Sequence, residues 1–126
     1  MSRASVDNQS MWLDILASSQ AITLECHTLG IPERKHPRPE LADAVLFIVN
    51  GLTQNSPIAF LNLCNGEVDN LEEWHWVTVV ALETDENQDQ VLVTIFDGDK
   101  SETIDFKRWL QTTGDGGALI YLGTGV

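Results

Sequence analysis

The sequence predicts a single α+β domain in which two helices precede an antiparallel sheet of about five strands. Two observations support this prediction. The 126 residues suit one domain, and a hydrophobic content of 43% is enough for a core. The apolar pattern also changes from helical spacing to strand-like runs after residue 56. We therefore treat 1–126 as one domain with a helical part, 1–56, and a sheet part, 57–126.

The helical part is predicted to contain two helices joined by a surface loop. Apolar residues recur at helical spacing early in the chain, which predicts a first helix over about 10–29. Gly30 and the loop 32–39, which holds three of the four prolines, end that helix. A broad apolar stripe then predicts a second helix over about 39–53.

The sheet part is predicted from short runs rich in β-branched and aromatic residues, separated by turn signals. Asp105 suits the N-cap of a short helix, residues 105–113. The three tryptophans of this part are expected in the core rather than at a ligand. The five predicted strands are Ile58–Leu63, Trp74–Glu83, Val91–Phe96, Ser101–Ile104 and Ala118–Leu122.

The charge balance narrows the classes of partner. Lys and Arg number 7 against 19 Asp and Glu, giving a formal net charge of −12. This charge argues against nucleic acid and against anionic membrane surfaces, which both need clustered cations. It favours solubility or, alternatively, a preference for basic peptides. No apolar run reaches the roughly 18 residues of a membrane span, and the first residues lack a signal-peptide core, so we expect a cytoplasmic protein.

The sequence predicts neither a metal site nor a cofactor site. Cys26 and Cys64 are the only cysteines, too few for a disulfide framework. Cys26, His27 and His36 have no standard zinc spacing, and no calcium-binding loop is present. The glycine-rich segment 114–117 lacks the lysine and helix of a phosphate-binding loop.

The predicted hairpin over 74–97 carries the one pair of residues with catalytic character. If its turn centres near Glu86, His75 lies opposite Asp97 and both side chains share one face of the sheet. A carboxylate beside an imidazole fixes its tautomer and stabilises its cationic form, as in the base and orienter of a nucleophile–His–acid triad. The alternative is a surface pair at a sheet end, with Asp97 serving only its turn.

A resemblance to a known family bears on this choice. The resemblance is carried by Trp74–Val80, Val91–Asp97, the helix with Trp109, and Gly116–Tyr121. Together these segments resemble the His-bearing sheet of papain-like cysteine peptidases, and most closely their bacteriocin-processing branch. The resemblance covers roughly residues 31–122 and implies a papain-like fold in which His75 is the catalytic base and Asp97 orients it.

The sequence departs from this family at the nucleophile. Members carry a cysteine at the start of a long upstream helix, preceded by an oxyanion-hole Gln or Asn, and nothing here matches that helix. Cys26 and Cys64 are instead interpreted as inert, buried small residues. We therefore expect a partial or inactive thiol-hydrolase domain that alone shows no activity. The alternative is a non-catalytic, acidic α+β protein-interaction module.

The reduced helical part also predicts association. A sheet that lacks its usual helical cover leaves apolar surface exposed, and monomers rarely expose large apolar patches. We therefore expect a homodimer or a complex with a separate chain, and a peptide or protein as the molecule that is bound.

Overall fold

The computed structural model describes residues 2–5 and 24–123, and it is mostly sheet. Six strands form one antiparallel sheet in the order β2-β7-β3-β4-β5-β6, and β1 pairs with the end of β4 beside this path. The elements in chain order are β1 (Ser2–Ser5), β2 (Glu25–Ile31), α1 (Leu41–Thr53), β3 (Ile58–Asn62), β4 (His75–Thr84), β5 (Val91–Asp97), β6 (Lys100–Asp105), α2 (Phe106–Thr112) and β7 (Gly117–Gly123).

The predicted architecture of five strands behind two N-terminal helices is wrong. Where the first predicted helix, 10–29, falls within the described residues, the chain forms β2, which pairs with β7 along its whole length. Leu29 and Ile31 of β2 face the core while Thr28 and Gly30 are exposed, so the true period here is two. The remainder of that prediction, 10–23, lies outside the described residues. A sheet of six strands with two helices gives no support to the papain-like fold.

The predictions for the later elements agree better with the structure. Each of the five predicted strands has a counterpart, in β3 to β7. The second predicted helix corresponds to α1, and Asp105 caps α2 by accepting a hydrogen bond from the backbone N–H of Arg108 at 3.0 Å. In the described ranges, no helix combines the length and apolar character needed to cross a membrane.

Both helices pack on one face of the sheet, which is the core face. A side chain at Gly51 of α1 would collide with Ile58 of β3 and would touch Tyr121 of β7. From α2, Trp109 packs edge-on against Phe60, two residues beyond Ile58 on the same face. Trp109 and Phe60 are both fully buried. The core therefore lies between the centre of the sheet and the two helices.

The opposite face, which we call the outer face, carries apolar side chains that are only partly buried. Leu61 of β3 lies opposite Trp76 on one side and Ala118 on the other. Ala59 lies opposite Ile120 in the same layer. Trp76 is 50% exposed. These five residues form a continuous apolar strip across β7, β3 and β4.

Candidate functional site

The site is centred on His75 and Asp97, at one end of the sheet. His75 opens β4, Asp97 ends β5, and their Nε2 and Oδ1 atoms are 2.8 Å apart. The prediction that these residues lie close together on adjacent strands, with both side chains on one face of the sheet, is confirmed. The predicted register is wrong by two residues, because Thr78 lies opposite Phe96 and the same register sets Asp97 diagonal to His75. A shift of two keeps both side chains on one face.

A second carboxylate completes the cluster. Glu72 lies in the loop before β4, with Oε2 at 3.8 Å from His75 Nε2. The backbone carbonyl of Glu72 accepts a 2.8 Å hydrogen bond from the Asn62 side chain. Asn62 is fully buried, and its Oδ1 accepts a 2.7 Å hydrogen bond from the indole Nε1 of Trp109. A buried polar chain from α2 therefore fixes the backbone that presents Glu72.

The surroundings of His75 suit a general base. The hydrogen bond to Asp97 is the main cause that raises the pKa of His75 above its ordinary value of 6.5. Partial burial opposes this shift, and the charges of Asp97 and Glu72 add to it. Neutral His75 donates its Nε2–H to Asp97, which leaves the Nδ1 lone pair to accept a proton. No group in the described part of the chain hydrogen-bonds Nδ1.

An acidic cleft opens beside this pair, on the side of the two carboxylates. Its volume is about 310 Å³, and Glu72 and Asp97 line it. Asp69 and Glu102 add two more carboxylates, against the single cation of Lys100. A concave surface with this charge balance attracts cationic groups and repels anions.

Trp74, immediately before His75, holds a strained backbone conformation. Its φ angle is 52°, in the left-handed region that a bulky side chain rarely adopts. Its side chain is 73% exposed, so the expectation of a core tryptophan is wrong here, as it is for Trp76. Strain of roughly 1–3 kcal/mol is retained mainly where the surrounding structure needs it, often at functional sites. The turn that directs the chain into β4 at His75 is such a place.

Cys26 cannot serve His75 as a nucleophile. It lies in β2, opposite Leu122 of β7, and its side chain is exposed on the outer face. The sheet registers set Cys26 level with Val80 of β4, three strands away and five residues further along than His75. The two Cα atoms are therefore on the order of 20 Å apart, from the usual strand spacing and rise.

Cys64 lies closer to the site, just after β3, and it has one property of a catalytic cysteine, a lowered pKa, but no contact with His75. Its pKa is lowered, chiefly by the backbone N–H of Gly114 and then that of Gly66. Its thiol is half-buried rather than fully buried as expected. Within the described residues, no hydrogen bond or ion pair joins this thiol to His75. The contact with Gly114 could not be predicted from the sequence, because the two residues are distant along the chain.

We expect the two cysteines to react independently of His75. Iodoacetamide should alkylate Cys26 and Cys64, each measured by mass spectrometry in the variant that lacks the other, at rates that His75→Gln changes by less than about twofold. The reason is that a nucleophile depends on an imidazole only through close contact. Loss of labelling at either cysteine in His75→Gln would contradict this expectation and would identify that cysteine as a nucleophile.

The His75–Asp97 contact also predicts a pH dependence. Because the folded-state pKa of His75 is raised, its stabilising contribution is complete below the unfolded value and is lost as pH rises through the folded pKa. Asp97→Asn should lower the pKa of His75 by more than Glu72→Gln does, since the hydrogen bond to Asp97 is the larger cause. Titration of the imidazole resonances by NMR, in EDTA-treated protein, measures both shifts. An equal or larger effect of Glu72→Gln would contradict the assignment.

The structure brings together two of the residues singled out by the sequence, His75 and Asp97, and leaves Cys26 remote. It adds Glu72, Asn62 and Trp109, which no local pattern indicated. Comparisons with models of protein families, with curated proteins and with solved structures found no match. Functional inference therefore depends on the geometry of this site.

Proposed function

We propose that this chain carries the base-and-orienter half of a nucleophile–His–acid hydrolase site, and that neither of its cysteines supplies the nucleophile. The observation that carries the proposal is the 2.8 Å contact between His75 Nε2 and Asp97 Oδ1. The resemblance of Trp74–Val80 to the His-bearing strand of cysteine peptidases supports it from the sequence side. Alone, the chain is then a partial thiol-hydrolase domain without thiol-hydrolase activity.

The chemistry follows from the two ring nitrogens. His75 Nδ1 accepts the proton of an attacking thiol or water, and the resulting imidazolium keeps its Nε2–H bond to Asp97. The Asp97 carboxylate stabilises the cation as it forms and holds the ring in one tautomer. The same Nδ1 proton is then returned to the leaving group, so the base is regenerated at the end of the cycle.

The charge of the cleft favours a peptide that carries lysine or arginine. Glu72 and Asp97 face the cleft together with Asp69 and Glu102, and only Lys100 opposes them. Complementary charge raises the rate of encounter and selects among partners more than it raises affinity. The net charge of −12 acts in the same direction over longer distances.

Hydrolysis of p-nitrophenyl acetate tests the base, because this activated ester needs no specific binding site. In a background with Cys26→Ser and Cys64→Ser, the chain should hydrolyse the ester about tenfold faster than its His75→Gln variant. This ratio is below the roughly 10²–10⁴-fold of a positioned substrate, since the ester is not held in place. Asp97→Asn should lose most of the excess rate.

His36→Gln is the matched control for this assay. His36 also contacts a carboxylate, with Nε2 at 3.2 Å from Glu33 Oε1, but the pair is exposed and lies outside the cleft. Its loss should leave the rate unchanged. If folded His75→Gln, checked by circular dichroism, hydrolyses the ester as fast as the parent, the proposed base function is wrong.

The outer face favours a second candidate, a non-catalytic interaction module that binds a second copy or another protein. Trp76 stands 50% exposed in an apolar strip with Leu61, Ala118 and Ile120. Sedimentation at micromolar concentration should show concentration-dependent association that Trp76→Glu abolishes. The salt should be about 0.15 M, because it screens the repulsion between like charges beyond about 8 Å. A single monomeric species at all concentrations would contradict self-association through this face.

A further inference from the structure

We propose that Glu72, His75 and Asp97 form a binding site for a divalent transition-metal ion of the Zn²⁺ type, and that the bound ion disables His75 as a base. One ligand atom of each residue lies within 4.8 Å of the other two. His75 Nε2 is 2.8 Å from Asp97 Oδ1 and 3.8 Å from Glu72 Oε2. The ion site stands on this geometry, and its effect on catalysis rests on the proposed function.

These distances are close to those that a coordinated ion requires. Nitrogen and carboxylate oxygen bind Zn²⁺ at about 2.0–2.2 Å, so neighbouring ligand atoms are separated by roughly 3–4 Å. Glu72 has the most exposed side chain of the three, at 70%, and can close the remaining gap by rotating its carboxylate. The site therefore needs a side-chain adjustment but no movement of the strands that carry His75 and Asp97.

The ligand set selects the class of ion. One imidazole with two carboxylates suits Zn²⁺ and its first-row neighbours, whereas Mg²⁺ prefers oxygen ligands alone. Two negative charges on the ligands also neutralise a divalent cation. The site was not predicted from the sequence, because Glu72 and His75 come from one segment and Asp97 from the next strand.

The surroundings supply the support and the access that a metal site needs. The hydrogen bond from the Asn62 side chain to the Glu72 carbonyl fixes the backbone position from which the Glu72 side chain extends. Asn62 is itself held by a hydrogen bond from Trp109. Glu72 and Asp97 both face the open, acidic cleft. A cation therefore has an electrostatically favourable path to the three ligands.

The ion and the base function exclude each other. Metal binding takes the Nε2 lone pair, so the Nε2 proton is displaced and the neutral ring carries its proton on Nδ1. Nδ1, which would accept a proton in catalysis, is then already protonated and has no free lone pair. Zn²⁺ should therefore inhibit the ester hydrolysis proposed above over the same concentrations that fill the site.

Titration calorimetry with ZnCl₂ tests the site in the EDTA-treated, dialysed chain that carries Cys26→Ser, Cys64→Ser and His36→Gln, so that other zinc ligands are absent. We expect one ion per chain. Glu72→Gln should raise the dissociation constant for Zn²⁺ by about tenfold or more, in the range known for groups that position or form metal sites. His75→Gln should abolish binding. Glu73→Gln, at the exposed neighbour outside the cluster, should leave binding unchanged, and MgCl₂ should give no heat of binding.

The outcomes separate the two proposals. No saturable binding of Zn²⁺ up to millimolar concentration, or binding that Glu72→Gln and His75→Gln leave unaltered, would overturn the metal site. If Zn²⁺ binds as expected while the parent shows no ester hydrolysis above His75→Gln, the metal site stands and the base function fails. If the parent hydrolyses the ester, Zn²⁺ should inhibit it, and about tenfold more Zn²⁺ should be needed to inhibit Glu72→Gln by the same fraction.

Discussion

Trp109→Ala should destabilise the domain by about 4 kcal/mol, within the roughly 3–5 kcal/mol typical of a buried tryptophan cut back to alanine. Trp109 is fully buried and packs against Phe60 and Phe106. Its indole N–H donates both to Asn62 Oδ1 and to the carbonyl of Cys64. The substitution therefore opens a cavity and also leaves the buried Oδ1 of Asn62 without its donor, whereas the carbonyl of Cys64 keeps a hydrogen bond from the Thr113 hydroxyl. The loss is a large share of the roughly 5–15 kcal/mol that stabilises a domain.

Trp109→Phe separates the two contributions. It keeps most of the ring volume but removes the N–H, so it should cost about 1–3 kcal/mol, the penalty of an unsatisfied buried polar group. Trp76→Ala is the matched control, because half of that side chain is already exposed, and it should cost less than either. Urea unfolding followed by circular dichroism gives all three values. Equal stability of Trp109→Ala and Trp76→Ala would contradict the role of Trp109 in the core.

The sequence predicted those elements whose signals are local. The capping residue Asp105 marks the start of α2, and the strong apolar runs mark β3, β4, β5 and β7. β2 was missed because Glu25–Gly30 contains only one large apolar residue, Leu29, so no strand-like apolar run separates it from the helix predicted before it. Its strand state depends on pairing with β7, almost a hundred residues later in the chain. Tertiary pairing of this kind overrides local preference.

The candidate site could be predicted only as far as the hairpin determines it. The prediction that His75 and Asp97 share one face stays correct despite a register error of two residues, because side chains alternate with a period of two. The register was predicted wrongly because the turn centres between Asn87 and Gln88, with Thr84 opposite Val91, and not near Glu86. An irregularity between Val79 and Ala81 then shifts the pairing by one residue. The contact of Asn62 with Trp109 joins residues 47 apart, and hydrophobic periodicity contains no information about such a pair.

Because β7 lies very close to β3 at Gly117, a methyl group added there should reduce both the stability of the domain and the activity of the His75 site. A Cβ atom at Gly117 would lie 1.8 Å from the backbone oxygen of Leu61. Backbone cannot rotate away as a side chain can, so the two strands must separate locally. Gly117→Ala should therefore cost about 3 kcal/mol, at the upper end of what added volume in a packed interior costs.

The expected damage extends to His75 through strand pairing. Asn62 lies opposite Gly117 on one side and opposite His75 on the other, so a displacement of β3 at this point moves the partner of His75 as well. Gly117→Ala should thus lower both the free energy of unfolding and the rate of ester hydrolysis. Gly30→Ala is the control, because it lies in the same sheet and a Cβ there meets nothing within 4 Å. It should leave stability within about 0.5 kcal/mol of the parent, as for surface substitutions, and the hydrolysis rate unchanged. If urea unfolding finds Gly117→Ala as stable as Gly30→Ala, β7 does not press against β3 as closely as the structure shows.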